Sequence, residues 1–248
     1  YGTLPEQMKR EKDRSKWYLW YHEMLRNKEG VITNALFTTM KRIEKIISFM
    51  RALEEVCIVK RDVLLYEGST ENDAMHIFKL SFLVMLIAPY LKSKVDYTRM
   101  LEMALVHDIA EGKVGDYTAA NQIVNPELKK EKKQKEEAAI KELKSLLPPP
   151  LNHKIYDLYQ EYEKKETLEA KIVSALDKLE ANLQANQYKD GDVRYWKLCE
   201  NGAEYYKMAL QKKPLIAEIG EKILSDLENA IIALSRENMK KCRVRIKK

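Results

Sequence analysis

Glycine and proline interrupt this chain only eight and seven times in 248 residues, and nowhere do apolar and polar residues alternate strictly, as a half-buried strand requires. Leu, Lys, Glu and Ala are abundant, and such residues lose little side-chain freedom in a helix. The expected fold is therefore all-α. The spacing predicts helices over residues 16–27, 33–56, 73–91, 96–109, 126–146, 152–164 and 168–186, with two or more after Asp192. This organisation reads as an N-terminal helical extension (1–30), a central domain (31–190), and C-terminal helices (191–248) that pack on the domain and end in the basic tail MKKCRVRIKK.

Local punctuation supports these limits. Glu67-Gly68-Ser69-Thr70 breaks the chain before the segment carrying His76, and Asp73 is placed to cap that helix by accepting from a free backbone N–H. Pro148-Pro149-Pro150 ends the Lys/Glu-rich helix, because proline lacks an amide donor and clashes with the preceding turn. Tyr188 to Asp192 reads as a loop. The run KKEKKQKEEAAIKELK, Lys129 to Lys144, reads as a solvated helix laced with ion pairs, and Trp17, Tyr18, Trp20 and Tyr21 as a helix packing on the core or on a second subunit.

Forty-four basic residues stand against 38 acidic ones, so the formal charge of +6 is a small difference between large numbers and implies no stable nucleic-acid partner. Cys57, Cys199 and Cys242 are odd in number and far apart, unlike a zinc ribbon or a disulfide scaffold, and fit a reducing, cytoplasmic setting. The first residues are charged where a signal peptide would be apolar, and the longest apolar run, Leu80 to Leu91, is short and contains Pro89. No membrane segment is expected.

The residues that carry chemistry are dispersed. His76 stands one turn into an apolar helix, a position more often filled by a core histidine than by a ligand. His107-Asp108 closes a second apolar helix, and Glu111 shares their face at spacings of four and three. Gly112 and Gly115 then release the chain into a loop with Asp116. Asp177 lies at the edge of the apolar stripe Ile172, Leu176, Leu179 and Leu183, where an unpaired carboxylate would be costly. Lys178 points about 100° away from it. Two imidazoles and two carboxylates on three core helices would make a four-ligand site for a hard or borderline divalent cation.

This order, His76, then His107-Asp108, then Asp177, resembles the HD-domain metal-dependent phosphohydrolases. Glu71-Asn-Asp-Ala-Met-His76, the string from Ala104 to Asp116, and Leu176 to Ala185 resemble their 5′-deoxynucleotidase branch, over about Glu55 to Tyr188. The resemblance implies an HD-domain helical bundle in which His76, His107, Asp108 and Asp177 bind one divalent ion (Mn, Co, Mg, Zn or Fe). It also implies that Glu111 and Asp116 complete the site, that an Arg matched by Arg61 orients the substrate phosphate, and that the protein is a homodimer. Where the branch has a Trp selecting the deoxy sugar, this chain has Leu64, and a proline common after the loop Asp is missing from Asp116-Tyr-Thr-Ala.

The expected activity is hydrolysis of (deoxy)nucleoside 5′-monophosphates to nucleoside and phosphate. A bound ion lowers the pKa of water from about 15.7 to as low as about 7 for zinc. Glu111 would shuttle the proton, Arg61 would hold phosphate oxygens, and Asp116 would bind the sugar. Only His22 and His153 remain beyond the two histidines of the motif, which favours one metal over two. Glu111-Gly112, where guanosine-tetraphosphate hydrolases have Glu-Asp, disfavours that activity. A deoxynucleoside triphosphohydrolase and a non-catalytic module with a structural metal are the alternatives.

Overall fold

The computed structural model describes residues 34–116, 126–187 and 214–241. The expected helix over 16–27, the loop at 188–192 and most of the basic tail lie outside them. The chain divides into two compact units, residues 1–47 and 48–248. Of the first, residues 34–47 are described, and they form the larger part of α1 (Asn34–Ala52). The second carries the end of α1, a 3₁₀ turn (Leu53–Cys57), the strands β1 (Lys60–Leu64) and β2 (Thr70–Asn72), and then α2 (Asp73–Ile87) with a 3₁₀ extension (Ala88–Tyr90). There follow α3 (Tyr97–Val106), α4 (Glu111–Val114), α5 (Pro126–Leu146), α6 (Leu151–Lys164), α7 (Leu168–Ala185), α8 (Pro214–Ile219) and α9 (Lys222–Lys241).

The fold is helical as expected, with one small departure. β1 and β2 pair antiparallel around a turn in which Gly68 takes φ of 103°, a left-handed conformation open to glycine. The pairing is irregular between Lys60 and Leu64, and the inward residue of β2 is the charged Glu71. A bulged strand facing inward with a carboxylate leaves no apolar alternation to read.

The helix ends explain how the site residues are presented. The cap of α2 is Asn72, whose side chain accepts from the Met75 N–H at 2.9 Å; the sequence placed it one residue later. Asp73 is instead the first helical residue, and its carboxylate turns to Arg61. α3 begins under an Asp96 cap on the Arg99 N–H, 3.0 Å, and ends at Val106, short of the Ile109 limit expected from periodicity. His107 to Ala110 form a tight turn, closed by the Glu111 N–H on the Asp108 carbonyl at 2.9 Å. Gly112 does not release the chain. It lies within α4, where an added Cβ would stand 3.0 Å from Val56 Cγ2 and the Val56 backbone nitrogen, so α4 can rest on the 3₁₀ turn only because the side chain is missing.

α7 is the central helix, buried on most sides through Ile172, Val173, Ala175, Leu176 and Leu179. Leu80 and Val84 of α2, Met100, Met103 and Ala104 of α3, Ile140 and Leu143 of α5 and Leu158 of α6 pack around it in one apolar core. Each large side chain so buried contributes about 1.5–3 kcal/mol relative to exposure. The segment Asp73–Tyr90 is long and apolar enough, by length and composition alone, to cross a membrane. One face of it is buried through Asp73, His76, Leu80 and Val84, while Phe78, Phe82 and Leu86 are exposed.

Candidate metal centre

Three elements bring the four candidate ligands to one point: α2 supplies His76, the turn after α3 supplies His107 and Asp108, and α7 supplies Asp177. The Nε2 atoms of His76 and His107 face each other at 3.3 Å. Asp177 Oδ1 lies 3.1 Å from the first and 3.9 Å from the second. Asp108 Oδ2 stands 3.7 and 3.0 Å from the same two nitrogens. Ligands about 2.1 Å from a common ion would themselves be about 3.0–3.4 Å apart. His107 itself keeps helical backbone angles, φ −58° and ψ −40°, at the end of α3.

The outer ring nitrogens define what the inner ones can do. His76 Nδ1 meets Glu180 Oε2 at 2.6 Å, and His107 Nδ1 meets the Ala104 carbonyl at 2.9 Å. Each partner is an acceptor, so each ring donates from Nδ1 and turns Nε2 inward. Two imidazole Nε2 atoms and two carboxylates then face one point, a donor set that fits a divalent cation taking the place of the proton between His76 and Asp177. Although burial disfavours its charged form, the carboxylates of Asp177 and Glu180 push His76 up to about 10. Burial opposes ionisation of Asp108 and Asp177 as well, and the two histidines overcome it, holding both well below the usual carboxylate range. Tyr162 of α6 donates its hydroxyl to Asp177 Oδ2 at 2.9 Å, so the second oxygen of that ligand is also fixed.

Arg61 reaches the same point from β1. Its Nη1 lies 3.4 Å from Asp108 Oδ2 and 3.5 Å from Asp73 Oδ1, and its Nε is in ion-pair contact with Glu71 at 3.2 Å. Burial opposes the charge on Arg61, but the surrounding Asp108, Asp116 and Asp177 hold it firmly protonated. Lys79 pairs with Glu71 and bonds to Gln184, whose Nε2 donates to the Leu64 carbonyl at 2.7 Å. The hairpin is thereby tied to α2 and α7. Leu64, at the end of β1, has an intermediate exposure.

Glu111 and Asp116 stand close to Asp73, a partner of Arg61. With Asp73 they form a second group whose ligand atoms fall within 4.8 Å of one another and could hold a cation. Burial and the Asp108 charge raise Glu111 well above the carboxylate range, against the pull of Lys132. Asp73 is pushed up to about 7 by burial first and by Asp108 second. Burial likewise raises Asp116, against the cations Arg61 and Lys132. Glu111 Oε2 and Asp73 Oδ2 are buried without a hydrogen-bond partner among the described residues.

His76, His107, Asp108 and Asp177 therefore meet with Arg61 beside them, and Glu111 and Asp116 gather with Asp73 in a second group. Sequence reasoning missed Glu71, Lys79, Lys132, Tyr162, Glu180 and Gln184. Glu180 carried a signal, since it follows Asp177 by three on the same helix face. Tyr162 and Lys132 carried none, because their helices meet the site only in the tertiary structure.

Comparison with known proteins agrees with this geometry. Residues 53–209 match the family model described as "HD domain". The Xenopus laevis protein named "5′-deoxynucleotidase HDDC2" is 32% identical over 197 residues, spanning 78% of this chain and 92% of its own. The human protein of that name is 33% identical over 147 residues, 58% of this chain and 69% of its own. Among solved structures, a "Predicted metal-dependent phosphohydrolase" from Magnetospirillum magnetotacticum MS-1 superposes with a TM-score of 0.64 at 30% identity, covering 79% of this chain and 97% of that one.

Proposed function

The chain belongs to the HD-domain family, and we propose that it is a divalent-metal-dependent phosphohydrolase that converts (deoxy)nucleoside 5′-monophosphates to nucleoside and inorganic phosphate. The observation that carries this reading is the convergence of His76 Nε2, His107 Nε2 and Asp177 Oδ1 within 3.1–3.9 Å of one another, with Asp108 Oδ2 at 3.7 and 3.0 Å from the two nitrogens and both histidines held from behind. Relatives named as 5′-deoxynucleotidases support the substrate class.

His76, His107, Asp108 and Asp177 would hold one ion. Such an ion supplies Lewis acidity, lowering the pKa of water and neutralising charge on phosphoryl oxygens. The protein's own groups do the rest. Arg61, fixed between Glu71 and Asp73, presents its planar fork to the non-bridging phosphate oxygens. Glu111, raised by burial against the pull of Lys132, is the group placed to deliver a proton to the departing 5′-oxygen. Asp116 accepts a hydrogen bond from the sugar.

The test is a panel of ribo and deoxy mono- and triphosphates with Mn²⁺, Co²⁺, Mg²⁺ and Zn²⁺. The reading requires inorganic phosphate from monophosphates. Triphosphate released from nucleoside triphosphates would place the chain with the triphosphohydrolases instead. A homodimer is part of the same reading: Met75, Phe78, Phe82 and Leu86 form one exposed apolar stripe along α2, and sedimentation measures the subunit number.

A further inference from the structure

We propose that Lys132 is a positioning residue for Glu111, bringing α5 into the active site; the inference rests on the reading of Glu111 as the proton donor. Lys132 sits in the most charged stretch of the chain, yet it is not on the solvated face. Lys129, Lys130, Lys133 and Lys135 around it are exposed, whereas its own side chain is only 15% exposed. It opens the inward stripe of α5, followed at helical spacing by Glu136, Ala139, Ile140 and Leu143, the last three of them buried.

Burying an ammonium in that stripe is unfavourable unless it is paired, and the partner is specific. Lys132 Nζ donates to Glu111 Oε1 at 2.6 Å and lies 3.3 Å from Glu136 Oε1, one turn further along the same helix. One oxygen of Glu111 is thereby anchored, and the other, Oε2, is left buried and without a partner among the described residues. A carboxyl group with three rotatable bonds is held by one end so that its free oxygen keeps a single orientation. A misplacement of about 1 Å in a reacting group can cost about 100-fold in rate, which is the scale on which such an anchor acts. Glu136 pairs with the same ammonium, so Glu111 is the last member of a chain Glu136, Lys132, Glu111 that starts on α5 and ends at the site.

A purely structural role, in which Lys132 only offsets acidic charge, predicts that its loss acts independently of Glu111. The two are separated by a double-mutant cycle on the full chain with Lys132→Met, Glu111→Gln and the double variant, with Lys132→Arg as the conservative replacement. Turnover of a deoxynucleoside 5′-monophosphate at saturating Mn²⁺ should show kcat lowered about 10- to 100-fold by Lys132→Met, with KM changed less than about threefold. Lys132→Arg should recover part of kcat, and Lys132→Met should produce no further loss in the Glu111→Gln background. The thermal midpoint of the metal-free protein gives the second readout, independent of activity: Lys132→Met should lower it by at least twice as much in the native background as in Glu111→Gln. Should Lys132→Met fail to fold, Lys132→Gln takes its place in both cycles. Equal losses in the two backgrounds, in either readout, overturn the proposal. A wild-type chain that hydrolyses no nucleotide would instead count against the phosphohydrolase reading, and the thermal cycle would still decide whether Lys132 and Glu111 act as a pair.

Discussion

The Nε2 atoms of His76 and His107 face each other across 3.3 Å, and each ring is committed on its other side, one to Glu180 and one to the Ala104 carbonyl. Two inward nitrogens flanked by carboxylates form a donor set for a divalent cation, which binds the folded chain in exchange for the proton on His76. Mn²⁺ or Co²⁺ at about one hundred times its dissociation constant should therefore raise the unfolding free energy by about 2.7 kcal/mol, through preferential binding to the folded state. His107→Ala should abolish that increment. Calorimetric melting with and without the ion measures both.

Glu180 reaches His76 at 2.6 Å and is almost fully buried. A carboxylate behind a ligating imidazole fixes its tautomer and raises its basicity, and losing such a partner typically weakens metal binding about 10- to 100-fold. Glu180→Gln should show that loss by titration calorimetry while the far-ultraviolet circular dichroism of the helices is unchanged. An affinity unaltered in the variant would mean that His76 needs no support from α7.

Arg61 is held by Glu71, Asp73 and Asp108 in a geometry suited to a planar fork. Lysine keeps the charge but not the fork. Arg61→Lys should lower kcat/KM for a 5′-monophosphate about 10- to 100-fold, the equivalent of one or two hydrogen bonds to a charged group. Steady-state kinetics on the wild type and the variant measure the ratio.

How much of this was legible in the sequence depended on whether a residue's role was local. The helices α2, α5, α6 and α7 were readable because their apolar spacing and their proline or cap signals lie within each segment, and Pro126 to Leu146 appears with the limits the spacing gave. The ligands were readable because imidazoles and carboxylates at apolar positions call for a partner. The hairpin was hidden by its inward Glu71 and its irregular register. The end of α3 at Val106 was hidden too, since the apolar pattern continues through the turn. Tyr162 and Lys132 became visible only once α6 and α5 were seen against the site.

Away from the site, Glu221 offers a pH-dependent contribution of known sign. Its oxygens accept the backbone N–H groups of Lys92 and Ser93 at 2.9 and 2.8 Å, fastening the turn before α9 to the end of the 3₁₀ segment after α2. Burial opposes its ionisation, but these bonds outweigh burial and lower its pKa below the ordinary glutamate value. The folded state therefore binds this proton less readily than the unfolded chain. The stabilisation is complete above the unfolded value, near pH 4.3, and is lost as the pH falls through the lower folded value. Glu221→Gln should destabilise the protein by about 1 kcal/mol at pH 7 and by progressively less as the pH is lowered through that window, as measured by urea denaturation.

The central claim is that the histidine and aspartate cluster drives phosphomonoester hydrolysis. It is tested most directly by inorganic phosphate release from deoxynucleoside 5′-monophosphates with Mn²⁺ or Co²⁺, comparing the wild type with Asp177→Ala. Turnover by the wild type, removed by a chelator, restored by the ion and absent in Asp177→Ala at equal fold content, is the result expected. Phosphate release that persists unchanged in Asp177→Ala, or none from any 5′-monophosphate with any of the ions, would contradict it.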